Sequence, residues 1–300
     1  MEENRTVPLN TRILTRIQFK NRFTFRKHFG LGQIGAYILL IFWTFTTIYP
    51  LIWILINSFK TTNEIVKNSF NLPSSFNMTN YMNAFQKMGI GRSYLNSLII
   101  SGSTVLLVVL FGGMAAFIMA RFDFKLKKFI YTLFLGSLMF PAFATIVPVF
   151  TMLRKAQLIN KHIGLILPQT AGNLAFAIII LTGFMMSIPI ELEEAAVVEG
   201  AAPWQVYVRI VVPISKPSFA TVSIFTFLWS YNDLFMPLII LRNKDVQPIN
   251  VLLSHISSQY GTDYGLMAAA VAIIIVPVLI VYFSAQKYII KGLTAGAIKG

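Results

Sequence analysis

Residues 95–120 read LNSLIISGSTVLLVVLFGGMAAFIMA and contain no aspartate, glutamate, lysine or arginine. A helix needs about 20 apolar residues to cross the ~30 Å hydrocarbon layer of a membrane. Lipid offers no hydrogen-bonding partners, so a spanning segment has to be a helix or part of a closed barrel, and barrel strands would alternate apolar and polar residues. The pattern therefore predicts a transmembrane helix. Within it, Gly112, Ala116 and Ala120 recur at a spacing of four, which favours close packing against another helix.

Five further segments have a similar length and apolar character. Of all six, only the fifth contains a charged residue, Asp233. We therefore predict an all-α polytopic membrane protein whose membrane domain covers residues 36–286, between a basic tail at 1–35 and a glycine-rich tail at 287–300. The six predicted spans are roughly Ala36–Ile56, Leu95–Ala120, Phe129–Phe150, Ile163–Met186, Pro217–Leu241 and Leu266–Gln286.

The overall composition also indicates a membrane protein. The hydrophobic fraction is 56%, the mean hydropathy is +0.68, and only 12% of residues are charged, whereas soluble domains carry about a quarter. The net charge of +14 might suggest nucleic-acid binding, but a basic patch needs a water-exposed surface, which most of this chain lacks. We therefore expect no nucleic-acid partner. The absence of cysteine excludes disulfides, thiolate metal sites and cysteine catalysis.

The distribution of basic residues predicts how the chain crosses the membrane. If both termini are cytoplasmic, that side carries 16 lysines and arginines and the opposite side carries 9, in agreement with the positive-inside rule. We therefore expect a multi-pass protein of the plasma or inner membrane with both termini inside. The first span follows a long basic tail and is expected to remain as an anchor. Residues 11–28 of that tail are either an amphipathic helix on anionic lipid or a solvated positive flank.

The sequence lacks the motifs of an enzyme. It contains no Gly-Lys dipeptide and hence no phosphate-binding loop of the G-x-x-x-x-G-K-[ST] type. Its three histidines lie in separate segments without metal-ligand spacing, and no nucleophile elbow or carboxylate pair occurs within the spans. We therefore expect no catalytic residue, no metal and no cofactor in this chain, so any transport must take its energy from elsewhere or be passive.

The densest acidic stretch lies between the fourth and fifth predicted spans and reads IPIELEEAAVVEGAAPWQVYVRIVVP at residues 188–213. Its glutamates suit the first turns of a helix, where the macrodipole favours negative charge. Gly200 can adopt the left-handed conformation that ends such a helix, and Pro203 suits the first turn of another. The stretch predicts two short helices, 191–198 and 203–210. An exposed helix with small residues suits docking in a cleft of another protein; the alternative is an amphipathic loop on the membrane surface.

This loop resembles the EAA–G–I–LP loop of permease subunits of binding-protein-dependent ABC importers. The matching residues are Glu194, Ala195, Ala196, Gly200, Ile210 and Pro213. Further stretches resemble the carbohydrate-uptake branch, specifically the maltose-type second permease: LNS at 95–97, ARF at 120–122, FLWSYND at 227–233 and GLTAGAIKG at 292–300. The loop departs from the family pattern at Glu199, where aspartate is usual, and at Val211-Val212, where Ile-Leu is common. The resemblance extends from about Tyr37 to the C-terminus.

The resemblance implies the type I importer fold, in which residues 187–213 form a cytoplasmic coupling loop. It also implies a heterodimer with a second permease, two separate ATPase subunits that bind ATP and magnesium, and an extracellular solute-binding protein. Glu194 is expected to pair with a basic group of the ATPase. The residues expected to couple transport to ATP hydrolysis are Glu191, Glu194, Ala195, Ala196, Glu199, Gly200 and Pro213. Gly292 and Gly296 suit an extended tail along the ATPase, or else belong to a disordered terminus.

Asp233 is a candidate for function because ionisable groups within membrane spans are costly. Together with Trp229, Tyr231 and Asn232 it could line a sugar path, since hydroxyl-rich ligands are bound by carboxylate, amide and aromatic groups. The alternative is a helix cap at the outer boundary. We also expect the outer loop at residues 242–265 to contact the solute-binding protein.

The sequence thus predicts the membrane-spanning subunit of an ATP-driven sugar importer. One alternative is an importer permease for a solute other than a sugar. Another is a stand-alone secondary transporter, a class that usually shows inverted repeats and ionisable coupling residues within its spans; neither is found here.

Overall fold

The computed structural model describes residues 31–76, 78–252, 254 and 263–297, and every regular element in these ranges is helical, which confirms the predicted all-α class. The basic tail predicted to lie on lipid falls at residues 1–30, outside the described ranges. The helices are α1 (Leu31–Ser58), α2 (Thr62–Lys67), α3 (Thr79–Met88), α4 (Ile90–Arg121), α5 (Lys127–Ser137), α6 (Ala142–Lys155), α7 (His162–Met185), α8 (Glu191–Val198), α9 (Pro203–Val206), α10 (Val212–Ile214), α11 (Lys216–Asn232), α12 (Phe235–Ile240) and α13 (Tyr264–Ala297).

Among the described residues, four helices are long and apolar enough to cross a membrane, and two bent helix pairs bring the number to six if each pair is one span. The four are Gly32–Ser58, Ile90–Arg121, His162–Met185 and Tyr264–Ser284. The bent pairs are α5 with α6, at 103°, and Pro203–Ile214 with α11, at 78°. The first bent pair coincides with the third predicted span, whereas the 78° bend precedes the fifth predicted span and lies between the acidic loop and α11.

The third predicted span differs from a continuous helix because α5 ends at Ser137 and α6 begins only at Ala142. Between them, Pro141 has an extended ψ of 125°. Proline has no N–H for the helical ladder and disfavours helical geometry in the residue before it, which accounts for the break. The fifth predicted span is also interrupted, since α11 ends at Asn232 and α12 starts at Phe235.

The chain divides into two compact units, Met1–Tyr49 and Pro50–Gly300. In the first unit the structure describes residues 31–49, where the large apolar side chains from Ile34 to Ile48 are exposed. Exposed apolar side chains all round are what a helix surrounded by lipid requires, because lipid tails solvate them as well as a protein core would.

In the second unit, α4, α7 and α11 pack around a common core. A Cβ atom added to Gly112 of α4 would lie 3.0 Å from Cβ of Ala177 on α7. Ala116 is fully buried, and Ala120 packs against the same cluster from its half-buried position. The small-residue stripe predicted on this helix is thereby confirmed as a packing face. Close approach of α4 and α7 depends on the missing side-chain volume.

The C-terminal tail is helical further than predicted. Helix α13 continues through Ala297, so Gly292 and Gly296 belong to a helix and not to the extended segment expected from their flexibility. The apolar run before them begins the helix, and each added residue gains one backbone hydrogen bond, which offsets the propensity cost of an isolated glycine.

Candidate functional site

The acidic loop forms the two helices that its sequence predicts. Helix α8 covers Glu191–Val198, and the second helix starts at Pro203, runs as α9 to Val206 and continues as a π-turn over Tyr207–Val211. Between them Gly200 has φ of 87°, a left-handed conformation that favours glycine. Its N–H donates to the carbonyl of Val197 at 2.9 Å, closing the end of α8.

Most of the predicted coupling residues lie on the surface of this loop. Ala196 is the exception: it is half-buried and packs against the core cluster beneath α8. Val198, at 88% exposure, and Trp204, at 62%, add apolar area to the same loop. The loop therefore presents acidic, small and apolar groups together, a composition that suits a partner surface. The exposed coupling residues are Glu191, Glu194, Ala195, Glu199, Gly200 and Pro213.

The remaining glutamate of the first turn, Glu193, faces inward and forms an ion pair that sequence reasoning missed. Its Oε1 lies 2.5 Å from Nη2 of Arg121 and also accepts from Nε of Arg121 at 2.7 Å. Nη2 of Arg121 further donates to the carbonyl of Ile188 at 3.2 Å. Only 10% of the arginine side chain and 7% of the glutamate side chain are exposed. The pair joins the last residue of α4 to α8, across 72 positions that no local spacing rule connects.

A second junction joins α4 to the π-turn. A Cβ atom added to Gly113 would lie 2.5 Å from the hydroxyl oxygen of Tyr207 and 2.8 Å from the ring of Phe219. The ring of Tyr207 also contacts that of Phe117, with 5.1 Å between centroids. Because both junctions involve α4, a displacement of the loop must move α4 or strain these contacts. The adjacent residues Gly112 and Gly113 thus allow close contact with two different elements, α7 and the loop.

An open apolar cavity of about 550 Å³ adjoins the ion pair, between α8 and the end of α4. Its walls include Phe117 and Phe122 on one side and Val197 and Val206 on the other. Apolar clefts of this size are common at sites where proteins bind partners or ligands.

Asp233, the charged residue of the fifth span, lies at the break between α11 and α12. Its Oδ1 accepts from the N–H of Met236 at 3.3 Å, which caps the start of α12, and its Oδ2 accepts from Nε2 of Gln169 on α7 at 3.0 Å. Oε1 of Gln169 in turn accepts from the hydroxyl of Ser230 at 2.7 Å. The network continues to α4 through Ser101, which lies 3.1 Å from Ser230. The carboxylate therefore has the geometry of the cap alternative and also ties three helices together.

The other three candidates for a substrate path do not share one environment. Trp229 is half exposed, with its ring 4.8 Å from that of Phe176. Asn232 is exposed, and its Nδ2 donates to the carbonyl of Leu228 at 2.8 Å. Tyr231, by contrast, is only 2% exposed and packs in a core cluster with α13. The structure therefore leaves Trp229 and Asn232 exposed on this chain and buries Tyr231 within it.

The Leu95-Asn96-Ser97 motif holds the loop that follows α12. Nδ2 of Asn96 donates to the carbonyls of Asp245 and Gln247 at 2.9 and 3.1 Å, and Oγ of Ser97 accepts from the N–H of Ile249 at 2.8 Å. The first part of the loop expected to contact a solute-binding protein is thus fixed to α4. Residues 253 and 255–262 of that loop lie outside the described ranges.

In the part of the chain that the structure describes, no group of three or more histidine, aspartate or glutamate side chains could hold a metal ion. Both candidate sites present hydrogen-bonding groups, charged groups and apolar surface. These groups are suited to binding partners and solutes.

Comparison with known proteins shows which family and which relatives this chain is similar to. A profile of the family described as "Binding-protein-dependent transport system inner membrane component" matches residues 109–295, which contain the acidic loop. The chain is 37% identical over 266 residues to the diacetylchitobiose uptake system permease protein NgcG of Streptomyces coelicolor, covering 88% of each. It is 31% identical over 263 residues to the arabinooligosaccharides transport system permease protein AraQ of Halalkalibacterium halodurans, covering 86% of this chain and 94% of that protein.

Solved structures show the same fold. A chain of a bacterial ABC transporter involved in the import of the acidic polysaccharide alginate matches with a TM-score of 0.75 and 24% identity, covering 86% of this chain and 95% of that one. The match shows that the helical fold of this chain recurs in that transporter. The chain therefore belongs to the family of binding-protein-dependent transport system inner membrane components.

Proposed function

We propose that this chain is the membrane-spanning permease subunit of an ATP-driven importer for a sugar or oligosaccharide. The single observation that carries the proposal is the acidic loop: α8 offers exposed carboxylates and small residues while the buried Arg121–Glu193 pair fixes it to α4. When a partner protein displaces such a loop, the buried ion pair transmits the displacement to α4. The family and the names of the sugar-transport relatives support this reading.

In this proposal the chain has four partners besides lipid. A second permease completes the translocation path, two ATPase subunits bind ATP and magnesium and grip α8, and an extracellular solute-binding protein delivers the sugar. Both termini and the acidic loop face the cytoplasm, in line with the 16 to 9 distribution of basic residues. ATP hydrolysis takes place in the partners, and this chain contributes motion and a path.

The contacts of the loop indicate how the motion is transmitted. Closure of the ATPase subunits displaces α8, with Glu194 as its charge contact to them. The displacement reaches the end of α4 through Arg121 and its middle through the contact of Tyr207 with Gly113. Because α4 packs tightly on α7 through Gly112, the two helices move as one body. Interiors packed this closely transmit strain with little loss.

The substrate assignment rests on the half-exposed groups near the α11–α12 break. Trp229 presents an aromatic face and Asn232 an amide, both suited to a sugar. Asp233 directly follows Asn232 in sequence but is engaged by Gln169 and by the start of α12. Its main contribution is therefore to hold the break that exposes its neighbours.

Co-purification tests the proposal directly. The full-length chain, tagged and extracted in a mild detergent, should bring with it a second permease and ATPase subunits, and proteoliposomes of the complex should accumulate labelled oligosaccharide when ATP is inside. Glu194→Lys should insert and assemble less tightly with the ATPase, and it should lose uptake. A chain that runs alone and transports in response to an ion gradient would establish the secondary-transporter alternative. Uptake of amino acids or peptides in place of sugars would overturn the substrate class only.

A further inference from the structure

A second cavity, separate from the coupling loop contacts, lies where α4, α5 and α7 meet on the same end of the bundle. It has a volume of about 530 Å³ and is open to the surface. Neither the transport path nor the coupling loop uses it. Its lining residues are Met119, Asp123, Phe124, Lys125, Lys127, Lys128, Tyr131, Thr182 and Met186.

The polar rim of this cavity carries a net positive charge. Lys127 pairs with Asp123 at 2.9 Å, which leaves two of the three lysines without an acidic partner. These two, Lys125 and Lys128, are exposed, and neither side chain has a hydrogen-bond or ion-pair partner in the described part of the chain. Unpaired lysines concentrated at a membrane boundary attract anionic headgroups.

The floor of the cavity has a different character. Met119 and Met186 contribute flexible apolar walls, a surface that suits an acyl chain. Thr182 also lines it: the residue is 3% exposed, and its buried hydroxyl makes no hydrogen bond within the described residues.

Helix α5 has lysines in its first turn and mainly apolar residues in the turns that follow. It has no buried residue, and Phe129 and Leu133 are 61% and 56% exposed. An apolar outer helix with lysines at its first turn matches a phospholipid along its whole length. The tails would lie against α5 and the phosphate at Lys125 and Lys128.

From this arrangement we infer that the cavity between α4, α5 and α7 is a binding site for an anionic glycerophospholipid, whose phosphate is held by Lys125 and Lys128 and whose tails pack on the methionines and α5. The inference goes beyond the proposed function and depends on it only for assigning this end to the cytoplasm. A lipid in this position would support α5 next to the 103° bend, where the protein itself supplies few contacts.

Lipid titration of the intact protein tests the inference. The full-length chain with its co-purifying subunits is delipidated and titrated with phosphatidylglycerol or phosphatidylcholine, and bound lipid is counted by native mass spectrometry. At about 1 kcal/mol per lysine near an anionic surface, the K125Q/K128Q double variant should bind phosphatidylglycerol about thirtyfold more weakly. The control R209Q/K216Q removes two positive charges from the same end outside the cavity and should retain wild-type affinity.

Two further measurements keep the result decisive if the double variant is unstable. The single variants K125Q and K128Q each remove one positive charge, and each should weaken phosphatidylglycerol binding by about fivefold, in line with about 1 kcal/mol per lysine. Competition with inorganic phosphate should not displace the lipid. Equal binding of the two lipids by the wild type, equal losses in both double variants, or full displacement by phosphate would each overturn the lipid site. Transport need not be measured, so failure here is distinct from failure of the proposed function.

Discussion

Glu193→Gln tests the attachment of the coupling loop to α4 without changing the surface that the loop offers to partners. It preserves the shape of the side chain and removes the charge that faces Arg121 at 2.5 Å. The exposed carboxylates of α8 remain. The substitution therefore leaves the surface offered to an ATPase intact while weakening the attachment of α8 to α4.

The magnitude follows from the burial of the pair. At an effective dielectric of about 20, opposite charges about 4 Å apart attract by about 4 kcal/mol. Removing one partner of a buried pair costs about 3–5 kcal/mol, because the other charge stays buried without compensation. Arg121 would keep the carbonyl of Ile188 and the amide oxygen of the substituted side chain as acceptors, but it would have no opposite charge. A cost of about 3 kcal/mol lowers the equilibrium constant for docking of α8 on α4 by about a hundredfold.

The assay compares uptake of labelled sugar with ATP hydrolysis in the same proteoliposomes. For Glu193→Gln we expect ATP hydrolysis to persist and the amount of sugar moved per ATP to fall severalfold or more. The double variant R121M/E193M replaces both charges by apolar groups, which is often nearly neutral for a buried pair, so it should transport better than either single variant. For stability, Asp245→Asn is the matched control, since its pair with Arg92 is 58% and 64% exposed and worth at most about 1 kcal/mol.

Unchanged coupling in Glu193→Gln, together with thermal stability within the range of Asp245→Asn, would refute the role assigned to the pair. A double variant that is worse than both singles would refute the argument on its energetics, because the buried charges would then be doing more than compensating each other. Loss of both hydrolysis and assembly would instead place Glu193 at the partner surface.

Three further predictions concern glycines and the intramembrane carboxylate. Gly200→Ala should reduce sugar moved per ATP, since no atom lies within 4 Å of the new Cβ and the cost is backbone strain of about 1–2 kcal/mol; Gly200→Asn should be milder, and equal effects would argue against strain. Gly113→Ala should destabilise the protein by about 1–3 kcal/mol through overpacking, as measured by thermal unfolding. Adding Tyr207→Phe should restore part of this stability, because it removes the hydroxyl 2.5 Å from the new Cβ. If the second substitution restores no stability, this contact is not the cause. Asp233→Asn should keep the acceptor for Met236 and near-normal expression, whereas Asp233→Ala should lower expression; normal expression of the alanine variant with no uptake would favour a direct role in the substrate path.

The accuracy of the sequence interpretation varies with how local each signal is. The bounds of α8 and the start of the second helix were predicted from Gly200 and Pro203, whose effects on the backbone act within a residue or two. The third apolar segment was predicted as one span because its length alone suffices to cross a membrane. The break at Pro141 is a local effect that this length criterion does not take into account. The tail was expected to be extended because of its glycines, but helix α13 propagates through them.

The missed features all join residues that are far apart in the chain. Glu193 and Arg121 lie 72 positions apart, and Gln169 reaches Asp233 across 64. A run of glutamates looks alike in sequence whether a given carboxylate faces outward or inward. Only the position of α4 beneath α8 distinguishes Glu193 from Glu191 and Glu194.

The amino-acid sequence on its own was sufficient for the apolar segments, the helical class and the short helices of the acidic loop. Each of these follows from transfer of contiguous side chains into lipid or from the conformational limits of single residues. Tertiary structure was needed to show which glutamate is buried, which tyrosine leaves the surface and where a lysine-rimmed cavity opens. Those outcomes depend on how closely helices approach that are far apart in the sequence. Hydrogen bonds and ion pairs depend on these distances, which are set by helix packing and not by the spacing of residues along the chain.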